Sequence, residues 1–314
     1  MIFIIYQILI SIVLIFSPII IISRILKNKE DKFRFIEKFS FPSKERGNGK
    51  LIWFHGSSVG EIMSILPIIK KYDNDKSISK ILVTSSTVSS SKVLKKIKFK
   101  KTIHQFYPID HIFFSDKFLN HWKPNAAIFM ESEIWPAMFK TIKNKNIPLV
   151  LLNARITKKT FNRWLKIEKF SKSIFDYIDI AYPQNSETNS FLKKLNVKNI
   201  KTIGNIKFIE DDDFRYSNID KKLLLKFKKY KIFVAASTHN SEEMYAAKTH
   251  ILLKKKNKNL ITIIIPRHIH RVNNLIPQIE DFHLNVTKHS SKPKSLKNID
   301  IYIADTFGET EKFY

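Results

Sequence analysis

Short apolar runs alternate with amphipathic helical patterns over most of the chain. Continuous apolar runs are typical of buried parallel strands, and apolar residues at i, i+3 and i+4 are typical of helices. The strand-like runs of the first two thirds are 51–54, 81–84, 126–130, 148–152, 178–181 and 200–203. Helical patterns lie between them, for example at 115–122, 136–145 and 186–195. Such alternation predicts an α/β fold with a mostly parallel, doubly wound sheet.

A polar, charged stretch at 210–222 interrupts this rhythm and is typical of a connector between domains. A second series of strand-like runs follows it, at 232–235, 260–265, 284–287 and 299–304. The pattern therefore predicts two doubly wound domains in succession. We place the first at 27–215 and the second at 216–314.

The first 26 residues differ from the rest. Residues 2–22 are almost wholly apolar, interrupted only by Gln7, Ser11, Ser17 and Pro18, and such a run is long enough to cross a bilayer. No basic residue precedes the run and no small-residue cleavage site follows it, so it predicts an uncleaved, single-pass anchor at 1–26. An interfacial helix that does not cross the bilayer is the alternative.

Basic residues follow the apolar run directly, namely Arg24, Lys27, Lys29, Lys32, Arg34 and Lys38. Positive charge on that flank predicts that the C-terminal bulk lies in the cytoplasm. The net charge of the whole chain is +27. An anionic membrane surface and phosphorylated substrates both suit such a charge. Nucleic acid is not predicted as a partner, because the sequence shows neither a recognition helix nor an aromatic stacking platform.

The segment from Trp53 to Ile62 joins the first apolar run to a helical pattern through two glycines, Gly56 and Gly60. The chain has only six glycines, so each is expected where the backbone needs a positive φ or approaches a neighbour closely. Strand-to-helix turns of this kind bind anions and carry reactive groups in α/β proteins. Glu61 follows the turn at once.

The same turn matches the G-x-S-x-G motif of serine hydrolases, in which Ser58 would be the nucleophile. That chemistry needs an acid and then a histidine later in the chain. No histidine follows Asp305, and no suitable acid precedes the histidines at 239, 268 and 270. A hydrolase is therefore the less favoured enzyme.

The chain contains no cysteine, which excludes disulfides, thiolate catalysis and cysteine-bound zinc.

Further polar segments follow strand-like runs, where ligands of open α/β sheets bind. These segments are 130–136 with two glutamates, 153–155, 204–207, 235–239, 266–268 and 305–309. In this order, together with the glycine turn, they resemble the 3-deoxy-D-manno-octulosonic acid (Kdo) transferases over about residues 50–314. The resemblance implies a GT-B glycosyltransferase with two Rossmann-like domains. It also implies inverting transfer of Kdo from CMP-Kdo to a lipid A precursor at the bacterial inner membrane, with no cofactor and no metal.

The resemblance also assigns roles to residues. It makes Glu61 the general base, and a helix N-terminus would favour its ionised form. Glu131 and Glu133 belong near the acceptor and the base, and which one faces the cleft stays open. The expected donor-side residues are Ser237, Thr238, His239, Arg267, His268, Gly308 and Glu309. The expected acceptor or cleft residues are Ser58, Gly60, Asn153, Arg155 and Lys207.

The chain departs from the family pattern in places. Gly56 stands where alanine is common, and 85–89 replaces a loop with more threonine, proline and glycine. A later Gly-Gly-His-Asn segment of the family has no match, so we expect the second domain to be incomplete and the activity of this chain by itself to be low. Alternatives from other classes are a catalytically silent membrane protein that binds nucleotide or lipid, and a basic scaffold at the membrane surface.

Overall fold

The computed structural model describes residues 1–97, 99–208, 225–306 and 313. The chain forms two compact units, Met1–Ile209 and Glu210–Tyr314. The N-terminal helix belongs to the first of these units. The boundary predicted between residues 215 and 216 lies outside the described residues and stays a prediction.

The first unit contains a parallel sheet whose strand order is β3-β2-β1-β4-β5-β6. Its strands are β1 Leu51–His55, β2 Lys80–Ser85, β3 Thr102–Phe106, β4 Ala126–Met130, β5 Leu149–Ala154 and β6 Ile180–Pro183. The order reverses between β1 and β4, which lie side by side in parallel. In doubly wound sheets a crevice opens at this reversal, beyond the carboxyl ends of the two strands.

Helices connect these strands. They are α1 Ile2–Leu26, α2 Val59–Asn74, α3 Val88–Lys96, α4 Ile112–Trp122, α5 Pro136–Asn144, α6 Lys158–Leu165, α7 Glu168–Phe175 and α8 Ser186–Lys194, with short 3₁₀ helices at Phe35–Phe39 and Ile206–Phe208. Side-chain caps define several of the starts: Ser58 caps α2, Thr87 caps α3 and Asn185 caps α8. Such a cap satisfies one of the free N–H groups of a first helical turn.

The core of the first unit lies between the sheet and its helices. Trp53 of β1 is fully buried and contacts the rings of Phe118 and Phe129 at centroid distances of 4.8 and 5.0 Å. Every residue of β1 is buried, as expected for a strand at the centre of a sheet covered on both faces. The central strand therefore holds its carboxyl end in a fixed position.

The sequence pattern missed β3. Three of its five residues, Thr-Ile-His-Gln-Phe, are polar, and β3 is an edge strand packed on the 3₁₀ helix at Phe35–Phe39 and on α3. The strand predicted at 200–203 is reduced to one bridge, between Ile200 and Ala181.

The described part of the second unit contains a parallel sheet in the order β7-β8-β10-β9. Its elements are β7 Lys231–Thr238, α9 Glu242–Lys256, β8 Leu260–Pro266, a 3₁₀ helix Ile269–Arg271, α10 Val272–Glu280, β9 Val286–Lys288 and β10 Ile301–Ile303. Apolar clusters cover both faces of this sheet: Ile264 packs with one and Ile263 with the other. The predicted α/β fold with parallel sheets and helices is confirmed.

Candidate active site

Glu61 lies in the first turn of α2, directly after the turn that follows β1. Its carboxylate accepts the backbone N–H of Ser57 at 2.8 Å and the hydroxyl of Ser58 at 2.7 Å. In return the N–H of Glu61 donates to Oγ of Ser58 at 3.3 Å. This arrangement is a variant of the capping box, in which the glutamate accepts the N–H of the residue before the N-cap, and it fixes the glutamate side chain over the helix start. A β-carbon at Gly56 would lie 3.2 Å from Cβ of Glu61, so the turn leaves little space for a side chain there.

Burial raises the pKa of Glu61, and the nearby negative charges of Glu133 and Glu131 raise it further. The hydrogen bonds from Ser58 and Ser57 lower the pKa but only partly offset these effects. The sequence alone led us to expect that the helix N-terminus would favour the ionised form. The net direction is the opposite, because the carboxylate is largely removed from water. A raised pKa makes the carboxylate a stronger proton acceptor once it is ionised.

Glu133 follows β4 and is held by two ring nitrogens. Its Oε2 lies 3.1 Å from Nε2 of His55 and accepts the indole N–H of Trp135 at 2.9 Å. His55 ends β1, is fully buried, stacks on the ring of Tyr107 at 3.9 Å, and places Nδ1 3.0 Å from Oγ1 of Thr84. Contacts on both sides of the imidazole fix its ring plane, and so they fix one oxygen of Glu133.

Sequence reasoning missed His55, although a signal was present. A histidine at the end of an otherwise apolar, buried strand must find polar partners, because burying an unpaired polar group costs free energy. The partners here are Thr84 and Glu133. A search for polar residues inside apolar runs would have singled it out.

Glu131 directly follows β4, has a φ of 49° in the left-handed region, and is mostly buried. Its Oε1 pairs with Nζ of Lys207 at 2.6 Å. Asn153, at the end of β5, also has a positive φ of 53°, and its Oδ1 accepts the N–H of Ile206 at 3.2 Å. The amide thus holds the 206–208 segment beside β5, which brings Lys207 to Glu131.

The negative charges of Glu133 and Glu131, the two glutamates that follow β4, both raise the pKa of Glu61. The left-handed φ of Glu131 ends the extended geometry of β4 just before the two carboxylates. The first unit therefore brings together Glu61, Glu131, Glu133, His55 and Lys207 at the carboxyl ends of β1, β4 and β5.

The remaining predicted residues of the first unit are placed differently. Arg155 has an exposed side chain, and it takes part through its backbone: its N–H donates to the carbonyl of Glu131 at 3.3 Å, and its carbonyl accepts the Ser132 hydroxyl at 2.6 Å. At Gly60 an added β-carbon would meet Oγ of Ser58 only at 4.0 Å, so space does not demand glycine there. The Ser58 hydroxyl donates to Glu61 and caps α2, and this arrangement does not resemble a serine activated by histidine.

In the second unit, the ends of β7 and β8 bring most of the predicted donor-side residues together. The backbone N–H of Arg267 donates to the carbonyl of Thr238 at 2.9 Å, and the ring of His239 lies 6.4 Å from that of His268. Ser237 has a φ of 57°. The side chains of Arg267, His239 and His268 are exposed, whereas Thr238 is buried and donates to Glu243 at 3.1 Å.

Two predicted donor-side residues, Gly308 and Glu309, lie outside the described residues. Within the described ranges, no three side chains of histidine, aspartate or glutamate lie close enough to hold a metal ion. The arrangement in the first unit can instead accept a proton at Glu61 and orient polar groups through Glu133 and Lys207. The arrangement in the second unit offers an unpaired guanidinium, since the described residues include no carboxylate in ion-pair contact with Arg267.

Comparison with known proteins agrees with this geometry. The family model described as 3-deoxy-D-manno-octulosonic-acid transferase (kdotransferase) matches residues 33–210. The 3-deoxy-D-manno-octulosonic acid transferase of Rickettsia prowazekii is 34% identical over 266 residues, which cover 84% of this chain and 57% of that protein. The probable mitochondrial 3-deoxy-D-manno-octulosonic acid transferase of Arabidopsis thaliana is 33% identical over 300 residues, or 93% of this chain and 67% of that protein. The chain thus spans a little over half the length of its Rickettsia prowazekii relative.

Solved structures show the same fold at low sequence identity. The UDP-GlcNAc 2-epimerase of Neisseria meningitidis superposes with a TM-score of 0.56 at 14% identity, over 84% of this chain and 73% of that one. A glycosyltransferase of Rickettsia africae superposes with a TM-score of 0.51 at 10% identity, over 84% and 70%. These likenesses show the GT-B fold alone. The family model and the sequence relatives go further: the chain belongs to the 3-deoxy-D-manno-octulosonic acid transferase family.

Proposed function

We propose that the chain transfers Kdo from CMP-Kdo to a lipid A precursor, lipid IVA, in lipopolysaccharide biosynthesis. The observation that carries the proposal is the placement of Glu61. Its carboxylate lies at the reversal of strand order, held by two hydrogen bonds, with its pKa raised by burial and by two neighbouring carboxylates. A group so placed suits the removal of a proton from a sugar hydroxyl near neutral pH.

The proposed reaction is a single displacement with inversion. Glu61 accepts the proton of the acceptor hydroxyl, and the oxygen forms a bond to the anomeric carbon of Kdo. The bond from that carbon to the phosphate oxygen breaks, and the electron pair leaves with CMP. Arg267, at the end of β8, would offset the charge on the departing phosphate, because a guanidinium presents several N–H groups in the geometry that phosphate accepts. Most of the rate would come from positioning the two sugars.

Glu133 and Lys207 would position the acceptor. The contacts of His55 and Trp135 fix one oxygen of Glu133 and leave its second oxygen without a side-chain donor among the described residues. That oxygen is available to a sugar hydroxyl. The Lys207 ammonium, 40% exposed beside Glu131, is available to a phosphate of the acceptor. We assign Ser58, Gly60, Asn153 and Arg155 to shaping this part of the cleft.

We further propose that the reaction takes place at the cytoplasmic face of the bacterial inner membrane. The basic residues that follow the N-terminal helix support this location, because the cytoplasmic leaflet carries anionic lipids that attract them. In the described part of the chain, α1 is the one helix long and apolar enough to cross a membrane by length and composition. A lipid acceptor that stays in the bilayer would meet an enzyme held at the same surface.

The test is a transfer assay with CMP-Kdo and lipid IVA that follows both CMP release and the mass of the lipid. We would assay the 314-residue chain and a chimera that joins it to the remaining length of the Rickettsia prowazekii relative. CMP-Kdo-dependent gain of Kdo on the lipid by either protein is the expected result. Tight binding of CMP-Kdo with no transfer by the folded chimera would support the silent binding protein instead. Transfer from another nucleotide sugar, with CMP-Kdo inactive, would refute the assigned donor.

A further inference from the structure

The polar residues of α1 share one stripe, and that stripe faces the first unit. The Tyr6 hydroxyl donates to Oδ2 of Asp110 at 2.6 Å, and Oε1 of Gln7 accepts the backbone N–H of Ile112 at 2.9 Å. Oγ of Ser11 lies 3.3 Å from Nε2 of His111. Gln7 follows Tyr6 by one residue and Ser11 follows Gln7 by four, which places all three on one side of the helix. Further along the same side, Ser17 and Ile21 are buried.

Both ends of α1 are held by the same unit. Near its start, Tyr6 contacts Asp110. Near its end, Nε of Arg24 pairs with Oε2 of Glu30 at 3.1 Å, and Glu30 pairs in turn with Lys38 at 2.5 Å. The carbonyl of Lys38 accepts the N–H of Ile109, so both ends of the helix connect to the same loop after β3.

This geometry is incompatible with a helix that stands across the bilayer. Tyr6 and Arg24 are separated by 18 residues of helix, a rise of about 27 Å. If α1 crossed the membrane with Arg24 at the cytoplasmic surface, Tyr6 would lie near the far surface. Its contact with Asp110 would be lost. Gln7 would likewise lose its contact with Ile112. Ser11 would lie in hydrocarbon without His111, bonded only to the carbonyl of Gln7 within the helix.

The opposite side of α1 is apolar and uncovered. Its exposed side chains are Ile4, Ile5, Ile8, Leu9, Ile12, Val13, Ile15, Phe16, Ile19, Ile20 and Ile22. Other segments of the first unit also carry exposed aromatic residues: Phe113 at the start of α4, and Phe33 and Phe41 after the helix. Nζ of Lys117 lies 3.1 Å from the ring centroid of Phe41. Aromatic rings next to basic side chains are typical of the interface between lipid and water.

We propose that α1 lies in the plane of the membrane, docked along the first unit by its polar stripe, with its apolar side in the lipid. The partner is the surface of a bilayer that contains anionic phospholipid. Lys27, Lys29 and Lys32 follow the helix and are exposed, so they would contact the lipid phosphates. The proposal does not depend on the reaction that the chain catalyses. It selects the interfacial helix over the single-pass anchor.

A docked α1 would also be linked to the acceptor side of the site through Asp110. Besides Tyr6, the carboxylate of Asp110 accepts the backbone N–H groups of Ala137 and Met138, at 3.0 and 2.8 Å, at the start of α5. That helix begins three residues after Glu133. Lipid contact on α1 and the segment that carries Glu133 are therefore joined through one buried side chain.

Cross-linking in membranes tests the proposal, and the absence of cysteine from the chain makes the test simple. Gln7→Cys and Ile112→Cys, introduced together, are treated with a short bis-maleimide in vesicles that contain anionic lipid. The matched control is Ile8→Cys with Ile112→Cys, because Ile8 lies at the same height but is 54% exposed on the apolar side. We expect most chains of the first pair to cross-link and at least fivefold fewer of the control. Equal, low cross-linking of both pairs would overturn the proposal.

Labelling of the N-terminus gives a second, independent readout. Ile2→Cys alone is exposed to a membrane-impermeant maleimide added on the side where the two units lie. The in-plane helix predicts labelling in intact vesicles, whereas a crossing helix predicts labelling only after the vesicles are opened. If the chain does not bind vesicles and forms a stable dimer through α1, a second copy covers the apolar side and the lipid is the wrong partner. The pair Ser11→Cys with His111→Cys replaces the first pair if that variant does not fold.

Discussion

Glu61→Gln separates the chemical role of Glu61 from its structural one. The carboxylate accepts one backbone N–H and one hydroxyl. The amide oxygen of glutamine can accept the N–H of Ser57, and the Ser58 hydroxyl can rotate to accept from the amide NH₂. The substitution therefore keeps the shape and both hydrogen bonds. It removes the negative charge and the proton acceptor.

The expected loss of rate follows from the proposed role. A positioned general base contributes about 10²- to 10⁴-fold, so kcat should fall by a factor on the order of 10² to 10⁴. The KM for either substrate should change little, because the glutamine fills the same space. The acidic limb of the pH–rate profile, where protonation of Glu61 stops catalysis, should disappear in the variant.

The thermal stability of the Glu61→Gln variant, unlike its rate, should not fall. The pKa of Glu61 is raised in the folded chain, mainly by burial. A carboxyl whose folded pKa lies above its unfolded pKa favours the fold below the unfolded value, and this contribution is lost as the pH rises through the folded pKa. At neutral pH the ionised Glu61 is therefore unfavourable to folding. We expect Glu61→Gln to unfold at the same temperature or a higher one at pH 7, and this advantage should vanish at low pH.

Ser58→Ala is the matched control. It removes the cap of α2, which costs about 0.5–2 kcal/mol, but it leaves the carboxylate of Glu61 in place. The assays are initial rates of Kdo transfer by the chimera described above and thermal unfolding of both variants. Glu61→Gln should lose activity without losing stability, and Ser58→Ala should lose stability with a much smaller loss of activity. A Glu61→Gln variant that keeps more than a tenth of the wild-type rate would remove Glu61 as the base. A Ser58→Ala variant that is inactive but stably folded would point back to a serine nucleophile.

Three further changes test other parts of the site. Lys207→Met removes the cation beside Glu131, so the surroundings of Glu61 become more negative and its pKa should rise further. The acidic limb of the pH–rate profile should then move to higher pH. An unchanged limb would show that the charge of Lys207 does not influence Glu61. Asp110→Asn keeps only one acceptor oxygen, so at least one of the N–H groups of Ala137 and Met138 loses its partner. The free energy of unfolding should then fall by about 1–3 kcal/mol in a denaturant titration; a loss within error would show that these bonds are not formed. Arg267→Gln should weaken CMP-Kdo binding at least about tenfold by calorimetry, since a charged hydrogen bond contributes about 1.5–3 kcal/mol, while acceptor binding stays unchanged.

Much of the fold could be predicted because burial leaves a clear pattern. The central strands β1, β4 and β5 are covered on both faces, so their sequences are continuous apolar runs. The edge strand β3 is only partly buried, and three of its five residues are polar, so it carries a much weaker signal. The other edge strand, β6, was predicted at 178–181, so the polar composition of β3, rather than its position alone, hid it from the sequence pattern.

The site was predictable to the extent that it follows the strand-end rule. Glu61, Glu131, Glu133 and Lys207 lie after strands or connectors, and the structure brings them together. Pairings between side chains were not predictable, because they depend on local backbone angles. The left-handed φ of Glu131 is the example: the surrounding sequence gives no sign that the backbone leaves the extended region at this residue.

The N-terminal helix shows what an apolar pattern leaves undetermined. Hydropathy measures how readily a segment leaves water, and a docked helix in the membrane plane meets that requirement as well as a crossing one does. Tyr6 and Gln7 distinguish the two cases, because their side chains bond to groups outside the helix that lipid does not supply. In this chain Tyr6 finds its partner in Asp110, which also holds the start of α5. The same contact that lays the helix along the bilayer would therefore support the segment that presents Glu133 to a lipid acceptor. On this account, weakening the Tyr6 contact should disturb acceptor binding before it disturbs donor binding.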